Sequence, residues 1–173
     1  MELQLAVSHA LLRTLSGQNL TLAANAAAHA AANAILSLTQ ATHNPSIGAR
    51  FRPRPWPPKR DGSPSLLIRT GRMAHSYRVD AWMGGAAITT DAPYAAIHQT
   101  GGTVPPHTVP ATTYLTRRGT TVHRRSYHHP GATIPARPFL PIQPSGTGWT
   151  LTPVARPIVL QHIETALRTL LGT

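Results

Sequence analysis

The segment NPSIGARFRPRPWPPKRDGSPS, residues 44–65, limits the fold more than any other stretch of this chain. Each proline removes an amide donor and fixes its own φ, and the glycines between them favour turns, so neither a helix nor a strand can persist there. The chain is divided by it. A helical N-terminal part, residues 1–43, must end before this loop, and everything beyond has to be anchored separately. Phe51 and Trp56 are large apolar groups inside the loop, which therefore reads as pinned to the core and not as a free linker.

Before the loop, Leu3, Ala6, Val7, Ala10 and Leu11 recur at spacings of three and four between Glu2 and Leu15, and Gly17 follows as a stop. That pattern predicts a short first helix. Asn19 is the expected cap of a second helix, with Leu20, Ala24, Ala27, Ala31, Ile35 and Leu38 on its apolar face. Asn25, His29, Asn33 and Ser37 form a polar stripe at a spacing of four, open to reading as a solvated face or a subunit contact. The run TLAANAAAHAAANAILSL is too often interrupted by these groups to span a bilayer, so a soluble chain without a signal peptide is expected.

After the loop, LLIRTGRMAHSYRVDAW predicts a helical turn capped by Thr70 and then a strand from His75 to Met83. Tyr77, Val79, Ala81 and Met83 alternate with Ser76, Arg78, Asp80 and Trp82, and Gly84-Gly85 suits a hairpin turn into AAITT. Pro93 then opens a short helix, PYAAIHQ, that Gly101 should end. His98 falls near its C-terminus, where the dipole favours a partly charged imidazole. Further on, ATTYLT and TTVHRRSY flank Arg118-Gly119 and predict a projecting β-hairpin near residues 111–127 with a strongly basic tip. In IPARPFL the prolines hold the backbone extended, so that Phe139 and Leu140 can enter an apolar site while Arg137 reaches a carboxylate or carbonyl. Finally Ile158, Val159, Ile163, Ala166, Leu167, Leu170 and Leu171 fall on one stripe of a helix over 154–171. The expected fold is one α+β domain over residues 1–173: two N-terminal helices, a small and mainly antiparallel sheet core over 66–142 carrying the hairpin, and a C-terminal helix.

Chemistry is constrained by what is missing. The chain has no cysteine, which excludes disulfides, thiolate zinc sites and cysteine nucleophiles. Its acids are Glu2, Asp61, Asp80, Asp91 and Glu164, too scattered to assemble a two-metal nuclease or a carboxylate-pair hydrolase. Against them stand 16 Lys and Arg, a formal net charge of +11, and every basic residue except Lys59 is arginine. Such a balance points to a polyanion or an acidic protein face as a neighbour. His98 has no nucleophile with a carboxylate orienter near it in sequence, so a packed histidine is expected in place of a general base. His123, His128 and His129 lack an acid or cysteine that would complete a zinc site, and no cofactor or metal is expected.

Three stretches, LLIRTGRMAHSYRV, APYAAIHQTGG and IPARPFLPI, resemble in order and spacing the signatures of the phage virion morphogenesis family, to which the Mu-like G and P2-like S tail-completion proteins belong. RFRPRPWPP resembles the family's proline and tryptophan segment upstream, so the likeness covers roughly residues 50 to 142. The resemblance implies a non-enzymatic assembly protein of a tailed phage, found in the neck or upper tail of the virion and in the host cytoplasm during assembly. It implies a homo-oligomeric ring, commonly of six subunits, that meets head connector proteins and the tail tube protein around the DNA path, with no membrane partner. Carried over by position, Leu66, Leu67, Thr70, Gly71, Tyr94, Ala95, His98, Gln99, Gly101, Arg137, Pro138 and Phe139 match motif positions that are structural or assembly positions. Tyr94, His98, Gln99, Arg137, Phe139 and Leu140 are therefore the candidate subunit or partner interface. Between Gly102 and Ile134 no alignment is made. There Arg117, Arg118, Arg124 and Arg125 are candidates to face double-stranded DNA in the channel or to dock on an acidic connector surface. The alternative reading is a basic nucleic-acid-binding protein that acts alone.

Overall fold

Alanine builds the first layer. The computed structural model describes residues 17–59, 61–65, 67–68 and 70–172, and in it α1 runs over Gly17–Ala41. The expected first helix, Glu2–Leu15, lies outside the described residues, as does Leu66. Gly17 and Asn19, expected as a stop and a cap, both fall within α1. An interior glycine costs only about 1 kcal/mol relative to alanine, which a long alanine-rich helix absorbs.

The buried face of α1 is Ala23, Ala31, Ala34 and Leu38, turned slightly from the expected one; Leu20 and Ala24 are exposed. These small side chains let α1 pack closely on α4, Ala155–Leu171, whose Ala155, Val159, Ile163 and Leu167 are fully buried. That helix carries the predicted stripe as far as Leu167, while Leu170 is exposed. Ile142 and Leu151 close the same cluster from a hairpin.

A second cluster joins Trp56, Met73, Tyr77, Ala92, Ala95 and Phe139. Leu140 packs against both clusters. The strand pair β1 (Tyr77–Trp82) and β2 (Gly85–Thr90) lies on α1, and Asn25 Oδ1 accepts the amide of Gly84 at 2.6 Å. One member of the polar stripe thus holds the hairpin turn, while His29, Asn33 and Ser37 are exposed. The turn is Met83-Gly84, one residue earlier than expected, because Gly85 pairs with Trp82 and lies flat against its indole. Before β1, the short helix α2 (Arg72–His75) starts from Gly71 at φ 72°; Thr70, the expected cap, reaches the Arg72 amide only at 3.4 Å. After β2 comes α3, Ala95–Thr100, ended by Gly101 as predicted.

In place of a single small sheet, the described residues hold five separate antiparallel pairs. β9 (Ile142–Ser145) with β10 (Gly148–Leu151) is the hairpin that enters the first cluster. Three other pairs follow one another along a single ribbon: β3 (Gly102–Val104) with β8 (Ala132–Ile134), β4 (His107–Val109) with β7 (Tyr127–His129), and β5 (Thr112–Leu115) with β6 (Thr121–Arg124). No central sheet forms: prolines fall in the gaps that divide the ribbon into its three pairs, and none of these pairs is bonded to β1 or β2.

Candidate functional site

The stretch AAIHQTGG ends α3 beside the chain's second extended segment, IPARPFL. Gly101 adopts φ 75° and ψ 175°, a region that essentially only glycine enters, and a Cβ there would lie 2.8 Å from Ala136 N. With that side chain absent, residues 134–136 pass directly over the helix end. His98 O then accepts the Arg137 amide at 2.6 Å. At the next residue, Gln99 Oε1 accepts the amides of Phe139 at 3.0 Å and Leu140 at 3.2 Å. A single side-chain oxygen therefore fixes the connecting segment where it crosses between the two clusters.

Arg137 completes the node from the other side. Its Nε and Nη2 donate to the carbonyls of Pro57 at 3.1 Å and Pro58 at 3.2 Å, and Trp56 Nε1 donates to Pro138 O at 2.8 Å. The proline-rich loop is thus stitched to IPARPFL by groups that proline leaves free, its carbonyls. At the loop's start Arg52 donates twice to Thr42 O, at 3.0 and 2.7 Å, and its guanidinium lies 3.8 Å from the Trp56 ring centre. Phe139, 4% exposed, sits among Tyr77 and His43, with ring centres 5.4 and 6.1 Å away. Burial, and next the neighbouring Tyr94, push the Tyr77 phenol well above its ordinary pKa, so its hydroxyl stays protonated beside His43 Nε2 at 3.2 Å.

His98 meets Tyr94 edge to face at 5.9 Å, and among the described residues its Nδ1 is shielded from water with no hydrogen-bond partner. Burial, and next the Arg137 charge, hold the imidazole below its ordinary pKa. The helix-end argument for a partly charged ring is thereby overturned: α3 has six residues, and its weak dipole is outweighed by desolvation and a nearby guanidinium. His98 lines a pocket of about 600 Å3 with Ser65, Lys59 and Met73. Its described lining contains no carboxylate, so a Ser–His–acid relay is not assembled there.

Of the candidate interface residues, Gln99, Arg137 and Phe139 thus bind groups of their own chain, Leu140 bridges the clusters, and Tyr94 and His98 are half-buried. Sequence reasoning passed over Arg52, which bonds Thr42 across the α1–loop junction, and His43, which meets Tyr77, Trp56 and Phe139 in the second cluster. The only signal was the aromatic and arginine content of the loop itself.

The four basic candidates lie elsewhere, on the ribbon. Partner numbers add to the same total in every pair from Gly102–Ile134 to Leu115–Thr121, so one register runs through all three pairs. Pro105-Pro106 opposite Pro130-Gly131, and Pro110-Ala111 opposite Arg125-Ser126, interrupt the ladder without shifting it. At the first gap Gly131, φ 84°, lies so close to Val104 O that a Cβ would be 2.7 Å from it. The ribbon ends in a bonded turn: Thr116 N to Thr120 O at 2.9 Å and Gly119 N to Thr116 O at 3.0 Å. At about 3.3 Å per residue each side can extend roughly 40 Å. Arg117 and Arg118 occupy the turn, and Arg124 and Arg125 follow on the returning side, all exposed. The described residues contain no group of three His, Asp or Glu side chains placed to hold a metal ion.

Against known families, the model of the phage virion morphogenesis family matches residues 2–156. The chain belongs to that family. Searches of the curated proteins and of the solved structures gave no significant match. Membership of the phage virion morphogenesis family fits a node built for holding a chain in place, and it ties this protein to virion assembly. No helix among the described residues is long and apolar enough to cross a membrane.

Proposed function

We propose that this phage virion morphogenesis protein completes the upper end of a phage tail and joins it to the head connector, as one subunit of a homo-oligomeric ring, with six subunits as the working number. The observation that supports this reading most is the division of labour in the chain. The motif residues His98, Gln99, Arg137 and Phe139 lock two clusters into one body, and the charge is carried outward on an exposed ribbon. A subunit that must hold its shape under mechanical load and meet another protein needs both features. The neck of the virion is where such a ring acts, and non-specific contact with double-stranded DNA in its channel is compatible with the net charge of +11.

Depletion of the chain from the producing phage, followed by electron microscopy of the lysate, tests the proposal. Separate full heads and unjoined tails, restored to joined particles by supplying the chain in trans, are expected. The measured mass of the purified chain should correspond to a closed ring. Normal joined particles without the chain would refute the role, and a monomer with strongly salt-dependent DNA affinity would favour the stand-alone nucleic-acid-binding reading.

A further inference from the structure

We propose that the ribbon of residues 102–134 is a docking finger whose tip seats in an apolar, acid-rimmed cleft of a different protein, and not on a second copy of this chain. The proposal rests on the assembly reading above and names the chemistry of the partner. The ribbon contributes no residue to either cluster, yet its tip exposes large apolar groups: Leu115 at 71% and Tyr114 at 53%. The fold does not require them. As neighbours on one strand they point to opposite faces, so a flat partner covers one and leaves the other in water. A cleft covers both.

Charge sets the lining of that cleft. No acid occurs on the ribbon, and the one ion pair among the described residues, Arg168–Glu164, is on α4. Arg124 is already oriented, with its guanidinium 4.6 Å from the Tyr127 ring centre and Nη2 donating to the Tyr127 hydroxyl at 2.7 Å. Arginine and tyrosine around an apolar centre are what protein hot spots are made of. Phosphate binding uses arginine and hydroxyl groups but gains nothing from an exposed leucine. The bonded turn at 116–120 presents these groups with little ordering left to do on binding. Strand addition is not the mode, since Pro105, Pro106, Pro110 and Pro130 interrupt both edges.

Among its described residues a second copy offers the tip few acids: Asp61 is bonded to Ser63, Asp80 to Thr89 and Glu164 to Arg168, Asp91 is exposed, and the four are spread over different segments of the chain. The test uses two variants of the full chain supplied to the depleted phage: Tyr114→Ser with Leu115→Ser, and the four substitutions Arg117→Ser, Arg118→Ser, Arg124→Ser and Arg125→Ser. Both should keep the melting temperature and oligomer mass of the parent, and each should lower the yield of joined particles at least tenfold. Affinity for a short DNA duplex should be unchanged in the Tyr114 and Leu115 variant. A fall in oligomer mass would show contact with a second copy and overturn the proposal. Loss of joining in the arginine variant alone, together with weakened duplex binding, would assign the ribbon to DNA. Full joining with both variants, in a phage whose joining still depends on the chain, would leave the assembly reading standing and refute the finger.

Discussion

Gln99→Met is the sharpest probe of the node. Methionine has nearly the length of glutamine and a similar helix propensity, so α3 is preserved while the side-chain amide, and with it the acceptor oxygen, is lost. Two amides, Phe139 N and Leu140 N, then lose their partner. A buried donor left unpaired costs about 1–3 kcal/mol, and because both bonds are only part-buried the lower end applies, giving about 2–3 kcal/mol in total. For a chain of this size each kcal/mol moves the melting temperature by about 2–4 °C, so a fall of about 5–10 °C is expected. Hydrogen exchange should locate the loss, with the amides of residues 139 and 140 deprotected more than those of α4. Gln99→Glu keeps an acceptor in place and should recover most of the stability near neutral pH. The reasoning fails if Gln99→Met melts within 1 °C of the parent, or if Gln99→Glu is as damaged as Gln99→Met.

Phe139→Ala removes a fully buried ring and should cost about 3–5 kcal/mol in chemical denaturation, with no change of denaturant slope; an unchanged midpoint would mean the ring is dispensable. Gly101→Ala forces a side chain into a glycine-only conformation against Ala136 N, and a loss of about 2–4 kcal/mol is expected from strain and displacement of residues 134–136. Because His98 is harder to protonate folded than unfolded, the unfolded chain binds more protons as pH drops below about 6.5. Stability present at neutral pH is therefore lost on acidification, and His98→Phe should flatten that part of the pH profile. An identical profile in the variant would remove His98 as its source.

Local chemistry was legible in the sequence wherever contrast was high. The stripe of α4 alternates large apolar with polar groups, so Val159, Ile163 and Leu167 declare the buried face, and Pro93 and Gly101 bracket α3. Along α1 alanine occupies nearly every register between residues 23 and 34, so periodicity hardly distinguishes one face from the next; Ala31 and Leu38 were placed in the core and Ala27 and Ile35 against it, while Leu20 and Ala24 turned out exposed and Ala23 and Ala34 buried. Arg137 was expected to find a carbonyl or a carboxylate, and it finds two carbonyls some 80 residues earlier in the chain. Gln99 gave no sign of its role, because its value lies in amides 40 and 41 residues away. The ribbon was the largest gap. Prolines that break strands locally concealed a register visible only when both sides are compared.

That unbroken register makes the reach of the ribbon a quantity that can change independently of the body that carries it. Deleting one residue from each side would keep the ladder but exchange the faces beyond the cut. Deleting two from each side would restore the faces and draw the tip back by about 7 Å. Length can therefore be inherited in paired steps, each leaving Gln99, Arg137 and both clusters untouched. On the proposed docking role, insertions and deletions between positions 102 and 134 would act as a gauge that sets how far from the body a partner is met, while substitutions at the tip would set which partner it is.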